Sequence, residues 1–272
     1  MPALPMSPQL FSILSALVNE RAGLHFDLHH APVFDEKVAA RAAEAGFDSL
    51  LDYYYFLRYD AASASEMEAL VDALVVNETY LFREFAPLEV MITALVLPAL
   101  GEGRRPRIWS AACSTGEEPH TVAMLLEAHG ILDRVDLVAS DVSGQALARA
   151  RAGRFSRRAV RQDVPPFAAP WLKLEPREVV IERRFTDAID WRRINLLDEA
   201  TIATLGLFDV VLCRNVLIYF NDTTVRKVVN SLAGRLRPGG ALFVGIAESL
   251  LRFATPLACE EQGGVFLYRR IT

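Results

Sequence analysis

Cysteine is scarce in this chain: Cys113, Cys213 and Cys259 are odd in number, widely separated and outside any metal-ligand spacing. That excludes a disulfide framework, points to no metal site, and suits a reducing, cytoplasmic setting. Long apolar runs are missing as well. The stretch over 90–100 is too short, and too interrupted by Pro98, to span a bilayer, so no direct membrane insertion is expected. The amino terminus lacks a charged stretch followed by an apolar core, so nothing directs secretion. Nor is there a basic run. The 29 Lys and Arg stand against 34 Asp and Glu, a net charge of −5, which argues against nucleic acid or an anionic membrane surface as partner. What is abundant is apolar side chain, 52% of 272 residues, enough for one large or two modest domains with real cores.

Two structural regimes follow one another. Ser7 and Pro8 form a cap and first-turn signal, and Phe11, Leu14, Leu17 and Val18 recur at helical spacing until Gly23. Similar patterns predict helices over 34–45, 49–58, 65–76 and 87–100, so the first hundred residues read as wholly helical. His29 and His30 read as loop residues, and Tyr53, Tyr54 and Tyr55 as helix packing rather than a stacking platform. After the polar connector GEGRRP at 101–106, apolar strands alternate with helices. Strands are predicted over 107–111, 136–140, 190–195, 208–213, 241–247 and 265–269, an α/β pattern. The interval 153–190 breaks the rhythm: proline-rich, then β-like over 178–185, it reads as an inserted small subdomain.

The run RIWSAACSTGEEPH carries the most chemistry, reading as buried strand, small-residue turn and acidic helix start. A pyrophosphate site would want more glycine and no carboxylates crowding the helix amides. Glu117 and Glu118 suit instead a cationic, hydroxyl-rich cofactor such as S-adenosylmethionine, although an ordinary strand-to-helix turn accounts for the same residues. Asp141 closes the next strand 25 residues after Gly116, near the spacing at which a carboxylate meets ribose hydroxyls, and it reads equally as a helix cap. In FDVVLCRNVLIYF a buried strand ends abruptly in Arg214 and Asn215, then Tyr219, and ligands bind at such carboxyl ends. RPGG at 237–240 reads as a turn into the following strand. In VNETYLFRE, Thr79 and Arg83 would share a helix face capped by Asn77.

Taken in order, NETYLFRE, RIWSAACSTGEEP, ASDVS, INLLD and FDVVLCRNVLIYF resemble the CheR family of chemotaxis receptor methyltransferases over nearly the whole chain. The resemblance implies an all-α amino-terminal domain (1–84) and a Rossmann-like class I methyltransferase domain (85–272) carrying a small antiparallel β insertion (153–190). It implies S-adenosylmethionine as cofactor, S-adenosylhomocysteine as product, and glutamates on the cytoplasmic helices of receptors as substrate. Asn77, Thr79, Arg83, Glu117, Asp141, Asn195, Leu196, Arg214 and Asn215 would then line the cofactor site, with Arg214 and Tyr219 nearest the transferred methyl. Arg214 would orient a carboxylate, and Tyr219 would add a hydrogen bond and packing.

The chain departs from the family where substrate is concerned. Pro170, Trp171 and Leu172 stand where many relatives carry Arg-Tyr-Phe. The hairpin LKLEPREVVIE is short and lacks a glycine-containing loop, so a tether to a receptor's carboxyl-terminal pentapeptide is not expected. The second helix has few cations, mainly Lys37 and Arg41. Competing readings are a non-catalytic module sensing S-adenosylmethionine or its product, and a methyltransferase acting on a small acid.

Overall fold

The computed structural model describes residues 4–271. They form two compact units. One holds the residues up to Val76 together with Tyr219–Thr224, and the other holds Asn77–Ile218 and Val225 onward. The division therefore falls at 76/77 rather than at 84, and a short segment from far along the chain joins the helical unit.

The helical unit contains α1 (Pro8–Ala22), α2 (Ala31–Glu44), α3 (Leu50–Tyr59) and α4 (Ala64–Leu74). The local chemistry of α1 is the one its sequence announces: Ser7 Oγ accepts from Leu10 N, Pro8 sits in the first turn, and Gly23 ends the helix at φ 78°. Phe11, Leu14, Phe34, Val38, Tyr53 and Leu70 are buried between the helices, and Phe11 and Phe34 meet edge to face at 5.3 Å. Arg41 is turned inward. Its Nε and Nη2 each donate at 2.7 Å to the two oxygens of Glu66, which also accepts from the buried Tyr53 hydroxyl at 2.6 Å. A cation so engaged has less charge to offer a partner surface.

The second unit begins with α5 (Phe85–Met91), a π-helical turn (Ile92–Val96) and α6 (Leu97–Gly101). A proline ring at position 98 would strike the carbonyl four residues back, and the widened turn just before it relieves that clash. The seven-stranded sheet then forms from β1 (Arg107–Ala111), β2 (Asp136–Asp141), β6 (Ile189–Arg193), β7 (Phe208–Leu212), β8 (Leu236–Phe243), β9 (Leu257–Gln262) and β10 (Val265–Arg270). Its order is β6-β2-β1-β7-β8-β10-β9. Neighbours from β6 to β8 pair parallel, while β10 pairs antiparallel with β8 and β9. The order reverses between β1 and β7, and open parallel sheets bind ligands at that switch point. Helices α7 (Glu117–Ala128), α8 (Gly144–Ala152) and α11 (Asp222–Ala233) occur in the crossovers, with short α9 (Arg183–Asp187) and α10 (Glu199–Ala203).

The insertion is a three-stranded antiparallel sheet of β3 (Arg154–Ser156), β4 (Leu172–Leu174) and β5 (Glu178–Ile181), in the order β3-β5-β4. The β-like run stops at Ile181, and Arg183–Asp187 is helical.

Two other expectations are corrected. RPGG lies inside β8: Leu236 already pairs with Phe208, and an irregularity in register follows, so the glycines form a bulge rather than a turn. The reason is close approach, since a Cβ on Gly240 would lie 2.9 Å from the Asp209 carbonyl oxygen. Strand β9 has no counterpart among the predicted strands, because an edge strand reading LACEEQ is mostly exposed and carries little apolar alternation.

Candidate functional site

Three crossover segments converge at the carboxyl ends of β1, β2 and β7. Residues 112–116 leave β1 through a turn with Ala112, Ser114 and Gly116 all at positive φ (60°, 51° and 92°). Only the last is glycine, and space explains why. A Cβ there would lie 2.6 Å from Ala150 Cβ and 3.0 Å from the Trp191 ring. Gly116→Ala is expected to lose about 1–3 kcal/mol of stability. Thermal or urea denaturation measures the loss.

Asp141 ends β2 pointing back at this turn. It is buried, its Oδ2 accepts from Ser114 N at 2.7 Å, and its Oδ1 accepts from Ser143 N at 2.9 Å. The helix cap of α8 is Ser143, whose Oγ accepts from Ala146 N, so the capping role considered for Asp141 belongs to its neighbour. Asn195 and Leu196 follow β6 beside it, because Ile194 N donates to the Asp141 carbonyl. Glu117 opens α7. It is also buried, hydrogen-bonded by Thr115 Oγ1 at 2.7 Å, and burial pushes its pKa up.

Residues 77–84 are not a helix, which corrects the expected shared face of Thr79 and Arg83. Phe82 and Glu84 adopt positive φ, and the segment's N–H groups go elsewhere: Leu81 N donates to the Ala159 carbonyl, Phe82 N to Thr121 Oγ1. The segment nonetheless reaches the same place, since Ser114 Oγ donates to Asn77 Oδ1 at 3.1 Å. Thr79 is half-buried on it. Arg83 folds back, donating to the Glu78 carbonyl and lying 3.8 Å from Glu84 Oε1.

Both terminal nitrogens of Arg214 are engaged within the protein, while its buried Nε has no partner among the described residues. Its side chain is 2% exposed, and Nη1 donates to Glu118 Oε2 at 2.8 Å. Nη2 donates at about 3 Å to Glu84 Oε2 and to the carbonyls of Arg83 and Glu84. Glu118 is held in turn by Ser110 Oγ of β1. Burial works to raise the pKa of Glu84, but Arg214, Asn215 and the Ile246 N–H together hold it below the ordinary value. Asn215, at φ 58°, donates its N–H to Glu248 Oε2 at 2.6 Å, and Glu248 also receives Gly245 N and Ile218 N.

Sequence reasoning missed Glu84 and Glu248, and it read Glu118 as facing a cofactor where the structure pairs it with Arg214. The signal available was Arg214 itself, since an arginine following the buried run 210–213 needs buried carboxylates. Tyr219 groups with the helical unit, where its carbonyl accepts from His25 N.

The donor set suits a cation bearing hydroxyls. Carboxylates at Glu117 and Asp141 face a turn shaped for close approach, and Glu117 and Glu118 occupy the helix start that a phosphate would need. Comparison with known proteins agrees. A family model described as the CheR methyltransferase SAM-binding domain matches residues 77–263, and one described as the CheR methyltransferase all-alpha domain matches residues 9–75. The chain is similar to chemotaxis protein methyltransferase 2 of Vibrio cholerae, 33% identical over 244 residues that cover 87% of this chain and 84% of that one. Chemotaxis protein methyltransferase 1 of Pseudomonas aeruginosa is 39% identical over 194 residues, covering 67% and 70%. A probable biofilm formation methyltransferase, WspC, of the same species is 34% identical over 239 residues, covering 86% of this chain and 56% of that protein. With a SAM-binding domain on a sheet that reverses at β1 and β7, preceded by an all-α domain, the chain belongs to the CheR family of S-adenosylmethionine-dependent methyltransferases.

Proposed function

We propose that the chain methylates glutamate side chains on the cytoplasmic helices of chemotaxis receptors, giving glutamate methyl esters. The observation that carries this reading is the acidic cradle of Glu117 and Asp141 at the switch point of a SAM-binding domain. The names of its relatives add the chemotaxis context.

The cofactor, when bound, supplies an electrophilic methyl on a sulfonium. Asp141 and Glu117 would hold its hydroxyls and positive charge, with Asn77, Thr79 and Arg83 on one side and Asn195, Leu196 and Asn215 on the other. A glutamate side chain in water titrates at about pH 4.3, so the acceptor is ionised at neutral pH and no general base is needed. What the chain must do is align the acceptor oxygen and keep water out, since charge disappears as methyl transfer proceeds. A tight guanidinium pair would blunt that nucleophile. Arg214, its terminal nitrogens paired with Glu84 and Glu118, would act through the two loops it braces, and Tyr219 would supply packing and a hydrogen bond to the acceptor.

A pentapeptide tether is not part of this reading. β5 is the central strand of the insertion, so an added strand would have to pair with β3 or β4, each only three residues long. Among the described residues, no helix is long and apolar enough to cross a membrane.

The test is incubation of the protein with methyl-labelled cofactor and receptor-containing membranes of its own source. The expected result is label on receptor glutamates, released by mild alkali as methanol. Tight cofactor binding without transfer would favour the sensing module instead, and alkali-stable label would exclude an ester.

A further inference from the structure

Behind the cofactor turn lies a buried polar link that the methyl-transfer reading does not use. His120, on the first turns of α7, is fully buried. Its Nδ1 is 2.7 Å from the Gly116 carbonyl oxygen, and its Nε2 is 3.0 Å from Thr186 Oγ1. A carbonyl only accepts, so Nδ1 carries the proton. The neutral ring then leaves Nε2 bare, and Thr186 must donate its hydroxyl to it. Burial holds the ring in this neutral form, with a pKa lowered to about 4.

The geometry around both ends is closed. The Gly116 carbonyl also accepts from His120 N at 3.1 Å, so the last residue of the turn is gripped twice by one residue. At the other end, Thr186 belongs to α9 of the insertion, and its carbonyl accepts from Trp191 Nε1 at 3.0 Å. Gly153 makes room for the hydroxyl, since a Cβ there would lie 2.8 Å from Thr186 Oγ1. The Trp191 ring packs on the His120 ring with centroids 5.4 Å apart, and it is the same ring that a Cβ on Gly116 would strike. The end of the insertion thus reaches the turn by hydrogen bonds through His120, while Trp191 of β6, anchored on the Thr186 carbonyl, packs against it.

We propose that His120 and Thr186 are positioning residues through which the insertion sets the shape of the cofactor turn, and with it the affinity for S-adenosylmethionine. The proposal rests on the reading of 112–117 as the cofactor cradle. Neither side chain touches the reacting atoms. Removing the Thr186 hydroxyl leaves a bare, buried imidazole nitrogen whose ring can rotate off the Gly116 carbonyl, and the turn loses its second grip.

The test compares Thr186→Val, which keeps the shape and removes the donor, with Thr186→Ser, which keeps the donor. In the full-length protein, Thr186→Val should weaken adenosylhomocysteine binding about tenfold in calorimetry. It should raise KM for the cofactor by the same factor and leave kcat at saturating cofactor within about twofold, whereas Thr186→Ser should match the parent. Equal affinity in parent and Thr186→Val, or equal loss in Val and Ser, overturns the proposal. Should Thr186→Val not fold, the ring nitrogens of His120 in the parent protein decide. Their NMR resonances should report a neutral ring protonated at Nδ1 and shift when adenosylhomocysteine is added, and an unmoved resonance overturns the link. A parent protein that binds no adenosylhomocysteine removes the cradle reading itself, a failure distinct from these.

Discussion

Replacing Arg214 with methionine is expected to destabilise the protein by about 3–5 kcal/mol, the usual effect of removing one partner from a buried ion pair. Glu84 and Glu118 would then face each other with side chains only 15% and 16% exposed and no counter-charge between them. The Arg83 and Glu84 carbonyls would lose their donor too. Arg214→Lys should recover only part of the loss, because an ammonium is a point charge and cannot bridge two carboxylates and two carbonyls as a planar guanidinium does. Urea denaturation measures both. The sign of the pH dependence separates this from a generic packing defect. In the parent, Arg214 helps hold Glu84 below its unfolded pKa of 4.5, so that pair contributes stability above about pH 4.5 and loses it as pH falls through the folded value. The deficit of Arg214→Met should accordingly be full at neutral pH and shrink in acid. A methionine variant as stable as the parent, but inactive, would place the arginine on the substrate instead.

The second large effect is acid sensitivity at His120. A folded pKa of about 4 against 6.5 means that, between those values, the unfolded chain binds a proton that the native ring refuses. Stability from this group is complete above pH 6.5, falls as pH drops through that window, and levels off below about pH 4. A gap of that size corresponds to about 3 kcal/mol. The ring's hydrogen-bond partners, Gly116 and Thr186, and its aromatic neighbours, Phe155 and Trp191, carry no charge that would rescue the imidazolium. Glu117 and Glu248 have raised pKa values and act with the opposite sign, gaining stability as pH falls towards their unfolded 4.5. The measurement is therefore a difference. His120→Gln keeps a donor and an acceptor without titrating, so the stability gap between parent and variant should narrow by about 3 kcal/mol from about pH 7 to about pH 4. A gap independent of pH would mean that the ring titrates in the native state as it does in the unfolded chain, and so is not held neutral by burial.

The parts of this molecule that its sequence makes legible are those governed by neighbours along the chain. Ser7-Pro8 and Gly23 bound α1 because caps act over three or four residues. The small-residue turn after β1 and the acidic start of α7 are readable for the same reason, as is Asp141 at a strand end. The alternation of strands and helices, with a β insertion interrupting it, follows from hydrophobic period alone. The segment 77–84 is the instructive exception. Its apolar spacing is compatible with a helix, yet its N–H groups find partners in Thr121 and the Ala159 carbonyl, from α7 and the insertion. No local pattern encodes an acceptor that arrives from dozens of residues away.

Arg214 makes the same point electrostatically. That a strand ending in arginine must meet carboxylate is evident from residue type. Which carboxylates it meets depends on bringing Glu84 and Glu118 to 3.0 and 2.8 Å from the guanidinium. Patterning along the chain specified the elements, the small-residue turn after β1 and its acidic lining, because backbone geometry and capping are short-range. Folding decided which charges are spent on each other, which way His120 is protonated, and where 77–84 runs, because burial and hydrogen-bond partnership are properties of residues that meet only in three dimensions.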